Sequence, residues 1–151
     1  MTFNEQKSSR YAFALGRIRS AMQSEFYLEA LTIEESLITD RLLASLEHRQ
    51  VGERDKRQRL FELITKHQDD PGLDPAAWAG DEKVTDLFDE LQQWRVKRND
   101  LIHGFGKCLP GSDLETPPYL MARARQAAER GLVLFRMLDG WLRRQMTQPV
   151  A

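Results

Sequence analysis

One short stretch of the chain combines the side chains that phosphate chemistry needs: Arg98-Asn99-Asp100-Leu101-Ile102-His103. Arg98 supplies a permanent cation whose planar donors match phosphoryl oxygens. His103 can take up or release a proton near neutral pH. Asn99 both donates and accepts hydrogen bonds. The spacing sets a geometric condition. Residues five apart on an ideal helix differ by about 140° in azimuth. Arg98 and His103 therefore share a target only if the helix ends or distorts near His103, or if a second subunit brings the complementary group. Gly104 and Gly106 favour a helix end there.

A second candidate is Glu35. It falls in the series Leu28, Leu31, Glu35, Ile38 and Leu42, which lies on one helical face. An ionised carboxylate on an apolar stripe needs a partner. Two placements follow. Glu35 turns inward and pairs with Arg98 or Arg95, positioning the arginine, or the helix rotates slightly and Glu35 reaches solvent at the edge.

The elements that must carry these residues are legible from glycine and proline. Between Arg10 and Val51 the only one of either is Gly16, and from Asp81 to His103 there is none. Apolar residues there recur at helical spacing. This predicts helices over about Gln6–Met22, Phe26–Arg49 and Glu53–Gln68, with a break at Gln23–Phe26 that no glycine or proline marks. Asp69–Pro75 reads as a loop. A fourth helix is expected to open at Gly80-Asp81, with Asp81 as its N-cap, and to run into the Arg98–His103 segment. Leu109–Pro118 reads as a second loop, followed by a last helix over about Tyr119–Met146. Trp94 and Trp141 are expected in the core or at an interface, and Trp78 in a loop. Gly131 interrupts the last helix and suggests close helix packing. The fold class is all-α: an antiparallel bundle of four to five helices in one domain spanning 1–151.

Composition limits the functions available. The 151 residues carry 22 Lys and Arg against 23 Asp and Glu, a net charge of −1, so no global basic field drives nucleic-acid binding. Local cation clusters remain: Arg54, Lys56, Arg57 and Arg59 in one, and Arg123, Arg125, Arg130, Arg143 and Arg144 in the other. Cys108 is the only cysteine, so neither an internal disulfide nor a thiolate zinc site is expected. The N-terminus lacks a signal-like apolar core, and no stretch approaches the roughly 20 apolar residues of a membrane span. A cytoplasmic location without membrane association is the expectation. Gly104-Phe105-Gly106-Lys107 lacks the spacing of a phosphate loop. The acidic residues Asp69, Asp70, Asp74 and Asp81 do not match a calcium loop and read as solvated. His48 and His67 read as helix caps.

Arg98, then polar Asn99, then three residues and His103 closing on Gly104 resembles the signature of the HEPN superfamily: an arginine followed after four to six residues by a histidine. The order of elements, with the motif at the end of a later helix and a long helix after it, is similar as well. The resemblance implies an antiparallel helical bundle, acting as a homodimer with the two motifs close together. It implies a metal-independent endoribonuclease, with no cofactor, in the manner of a toxin or antiviral effector. RNA would be the substrate, with a cognate antitoxin or regulatory protein as a further partner. On this reading His103 acts as base or acid, Arg98 stabilises phosphoryl charge and Asn99 orients either group, with Glu35, Asp100 and Arg95 in support. The alternative is a catalytically inactive HEPN-like module that binds a protein or nucleotide.

Overall fold

The stretches without glycine and proline form long helices in the computed structural model, which describes residues 1–49, 58–106 and 117–147. Among them lie five helices and one short β-hairpin. Helix α1 spans Phe3–Gln23 and starts earlier than periodicity suggests, because Thr2 and Glu5 form a reciprocal cap. Thr2 Oγ1 accepts from the Glu5 amide at 3.2 Å, and the Thr2 amide donates to Glu5 Oε2 at 2.7 Å. The break after α1 is made by Glu25, a non-glycine residue at φ +60°.

Helix α2 covers Tyr27–His48, and α3 covers Leu60–Gln68. The predicted start of the third helix at Glu53 lies outside the described residues. Gln58 and Arg59 precede the helix, and Arg59 is its N-cap without a side-chain capping bond. Asp70 and Asp74 then close turns on the Gly72 and Ala76 amides, which accounts for the acidic loop as turn chemistry.

The fourth helix does not open at Gly80-Asp81. Those residues turn an antiparallel hairpin of β1 (Ala77–Ala79) and β2 (Glu82–Val84), in which Ala77 faces Val84. Gly80 takes φ +59°, a conformation that glycine adopts without a Cβ clash. Helix α4 spans Leu87–Gly106, and Asp86 rather than Asp81 caps it. Asp86 Oδ1 accepts from the Phe88 and Asp89 amides, each at 3.1 Å. Helix α5 spans Pro117–Thr147. It starts two residues before the predicted Tyr119, since proline is compatible with a first turn whose amides lack helical partners. The rest of the predicted Leu109–Pro118 loop, with Cys108, lies outside the described residues.

The helices form a bundle with α5 at its centre. Helix α5 packs on α2, α4 and β1, while α1 covers α2 and α3 lies against α4 and α2. The core takes Ile18 from α1; Leu31, Ile38 and Leu42 from α2; Leu63 and Ile64 from α3; Leu87, Phe88, Leu91, Trp94 and Leu101 from α4; and Leu134, Leu138 and Trp141 from α5. Each such side chain contributes roughly 1.5–3 kcal/mol by leaving water. Two tryptophan N–H groups tie the layers: Trp94 Nε1 donates to the Ala127 carbonyl at 2.9 Å, and Trp141 Nε1 to the Asp74 carbonyl at 2.7 Å. No helix among the described residues is long and apolar enough to cross a membrane.

Candidate functional site

Helix α4 positions the Arg98–His103 segment, and its inner face decides how. Leu87, Leu91, Trp94 and Leu101 are buried against the core, so the remaining azimuths face outward or toward α2 and α3. Arg98 turns toward α2. Its guanidinium pairs with the Glu35 carboxylate, and both are partly shielded, with side-chain exposures of 15% and 29%. Arg98 Nη1 also donates to Asn99 Oδ1 at 2.9 Å. Arg98 Nε is buried and has no hydrogen-bond partner among the described residues. Of the two placements open to Glu35, the arginine-paired one is realised, and Arg98 rather than Arg95 is the partner.

His103 lies on the exposed surface of α4. The expected helix end at His103 does not occur: α4 continues through Gly104 to Gly106. Arg98 and His103 therefore stand about 140° apart on one uninterrupted helix. The structure brings Arg98, Asn99 and Glu35 together and leaves His103 apart from Arg98. Asn99 is the link, because it contacts Arg98 and sits one turn before His103, about 40° away in azimuth. Arg95 sits one turn before Asn99. It bonds Gln92 Oε1 at 2.8 Å and lays its guanidinium 5.1 Å from the centre of the Phe61 ring. Asp100 is exposed.

A groove of about 740 Å³ opens beside this cluster. Glu35 and Asn99 line it, together with Arg95 and the start of α3. The site residues thus border a concave surface of ligand size.

Two buried titratable groups hold positions that the residue pattern did not assign to them. Glu34, the neighbour of Glu35, is fully buried, and neither carboxylate oxygen has a hydrogen-bond partner among the described residues. Burial pushes its pKa up to about 9, so it is a neutral acid at pH 7. The signal for it was Gly131. A Cβ there would collide with the Glu34 carboxyl group and lie 2.8 Å from Trp94 Cζ2. The close packing expected at Gly131 is made within the chain, where the glycine leaves room for the acid. His67 is the other group. Instead of capping α3, its ring is buried, 5.0 Å from Phe88 centre to centre, with Nδ1 2.8 Å from the Leu63 carbonyl and Nε2 2.8 Å from Ser45 Oγ. Burial lowers its pKa to about 4.

The basic clusters divide. Arg54, Lys56 and Arg57 lie outside the described residues. On α5, Arg125 pairs with Glu129, Arg143 with Asp139, and Arg130 with Glu82 and Glu90, so these cations have local carboxylates. Arg144 and Lys83 each pack over the ring of Trp78, which lies in β1 rather than in a loop, at 5.0 and 5.1 Å. Among the described residues no three His, Cys, Asp or Glu side chains gather as a metal site. No model of a protein family matches the chain, and no curated protein and no solved structure matches it either.

Proposed function

We propose that the chain is a HEPN-type, metal-independent endoribonuclease that acts as a homodimer, with Arg98, Asn99 and His103 as its working residues. The observation that supports this most is the mounting of Arg98. A shielded arginine held by Glu35 and Asn99 is pre-organised, and such a group loses little freedom when it meets a phosphate. The reaction would use the RNA 2′-hydroxyl as nucleophile. Its oxygen bonds to phosphorus while the P–O5′ bond breaks, giving a cyclic phosphate and a free 5′-hydroxyl. His103 would take the nucleophile's proton or supply one to the leaving oxygen, and Arg98 would balance charge on the phosphoryl oxygens. DNA lacks the nucleophile and would be spared. Because Arg98 and His103 diverge on α4, a composite site needs His103 from a second copy. A role as a toxin or antiviral effector in the cytoplasm, opposed by an antitoxin, extends the same reading.

The same divergence favours a second reading: an inactive HEPN-like module in which Arg98 and Glu35 are structural and the exposed face binds a protein or nucleotide. Cleavage assays separate the two. RNA incubated with the protein in chelator should be cut, and Arg98→Ala and His103→Ala should each reduce the rate at least 100-fold. Equal cleavage by all three proteins would eliminate this site. No cleavage by the parent chain would leave the binding module.

A further inference from the structure

The groove beside the Arg98 cluster has features that the cluster does not explain. It is walled by Glu35 on α2, by Gln58, Arg59 and Phe61 at the start of α3, and by Arg95 and Asn99 on α4. Its volume of about 740 Å³ lies within the range of small-molecule sites. Arg59 is exposed, and Arg95 engages Gln92 through Nε and lies over the Phe61 ring, which leaves its terminal nitrogens available. The Glu35 carboxylate is already neutralised by Arg98 behind it. Gln58 Oε1 is buried at the groove wall without a hydrogen-bond partner among the described residues. An unsatisfied buried acceptor costs about 1–3 kcal/mol unless something donates to it. Phe61, a large apolar ring, is 51% exposed under the Arg95 guanidinium. A stacking surface, two available cations and an unmet acceptor in one cavity are the complement of a nucleotide: a flat base, an anionic phosphate and an amino or hydroxyl donor.

We infer that this groove is a nucleotide subsite, in which Arg95 and Arg59 hold a phosphate, Phe61 with the Arg95 plane stacks the base, and Gln58 accepts from a donor of the base or sugar. The inference rests on the reading of the Arg98 segment as an RNA site, and it assigns that site its neighbouring nucleotide. Asn99 lies in the groove wall and His103 one turn, about 6 Å, further along α4. A strand seated in the groove would run along α4 toward His103. The same chemistry is presented by a free nucleoside monophosphate, so strand and mononucleotide are separate arms of the test.

The probes are a fluorescent 2′-O-methyl oligoribonucleotide of eight residues, which binds but cannot be cut, the four nucleoside 5′-monophosphates, and inorganic phosphate. The full chain should bind the oligonucleotide. Arg95→Ala and Arg59→Ala should each weaken it about tenfold and lower the salt slope by about 1. Phe61→Leu should weaken it about fivefold or more while keeping an apolar side chain for packing. Arg125→Ala, on the α5 cluster, should stay within twofold. Displacement of the oligonucleotide by a monophosphate marks a free nucleotide as ligand, and displacement only by longer RNA marks a strand; both sustain the subsite. Folded Arg95→Ala, Arg59→Ala and Phe61→Leu proteins that all bind within twofold of the parent would overturn it, as would no binding by the parent. Groove-dependent binding without cleavage of ordinary RNA would retain the subsite and remove the nuclease. Cleavage with an unchanged KM in all three variants would retain the nuclease and remove the subsite.

Discussion

Glu35 on α2 pairs with Arg98 on α4, and this contact points the arginine away from the helix surface that carries His103. The proposed shared site therefore takes Arg98 and His103 from different copies. A mixing experiment reads this directly. Arg98→Ala and His103→Ala proteins, each inactive, are combined, denatured and refolded together. Half of the dimers would then be mixed, and each mixed dimer would hold one intact site of two, so about a quarter of the parent RNA cleavage should return. No recovery, with mixed dimers demonstrated, would place both groups of a working site in one chain.

Glu34 makes stability fall as the solution becomes alkaline. Its folded pKa is raised to about 9 from an ordinary 4.5, so the folded chain binds more protons than the unfolded chain between these values. Stability is therefore lost as pH rises through that window. Glu34→Gln keeps the shape and cannot ionise. It should raise the unfolding free energy by more at pH 8.5 than at pH 5.5, the difference being on the order of a few kcal/mol. An identical gain at both pH values would show that Glu34 is solvated in the folded chain.

His67 works in the opposite direction on the acid side. Its folded pKa is lowered to about 4, chiefly by burial, from 6.5. The unfolded chain binds the additional proton between these values, so stability falls as pH drops from about 6.5 to about 4. The full effect is on the order of 3 kcal/mol. His67→Gln should flatten this acid limb while lowering stability at pH 7. Separately, Ser45→Ala removes the partner of Nε2 and should cost about 1–2 kcal/mol at pH 7. Chemical denaturation across pH 4–7 measures both, and an acid limb unchanged in His67→Gln would assign it to other groups.

Gly131→Ala tests the contact that makes room for Glu34. Alanine gains about 1 kcal/mol in helix propensity, yet its Cβ meets the buried carboxyl group and Trp94. The clash should win, with a net loss of about 1–2 kcal/mol. Adding Glu34→Ala should relieve most of the clash, so the two substitutions would couple by about 1 kcal/mol in thermal unfolding. Strict additivity would mean that α2 and α5 are farther apart at this point.

Much of the architecture was present in the chain as local pattern. Helical spacing of Leu31, Ile38 and Leu42, of Leu87, Leu91 and Trp94, and of Leu134, Leu138 and Trp141 marks faces that are in fact buried. Such periodicity is a property of neighbouring residues and needs no tertiary information. The Arg98–Asn99–His103 combination is visible for the same reason. What only the tertiary structure decided is which way each group faces. Glu34 and Glu35 both fit the stripe, one three and the other four residues after Leu31, and Gly131 on α5 selects Glu34 for burial while Arg98 on α4 takes Glu35. Gly104 permits a helix end but does not impose one, and α4 continues past it to Gly106. Asp81 and Asp86 are both competent caps, and pairing of Ala77 with Val84 assigns Asp81 to a hairpin turn and Asp86 to the helix. The chemical inventory was written in the sequence, whereas the directions in which it points were set by long-range packing that local spacing cannot encode.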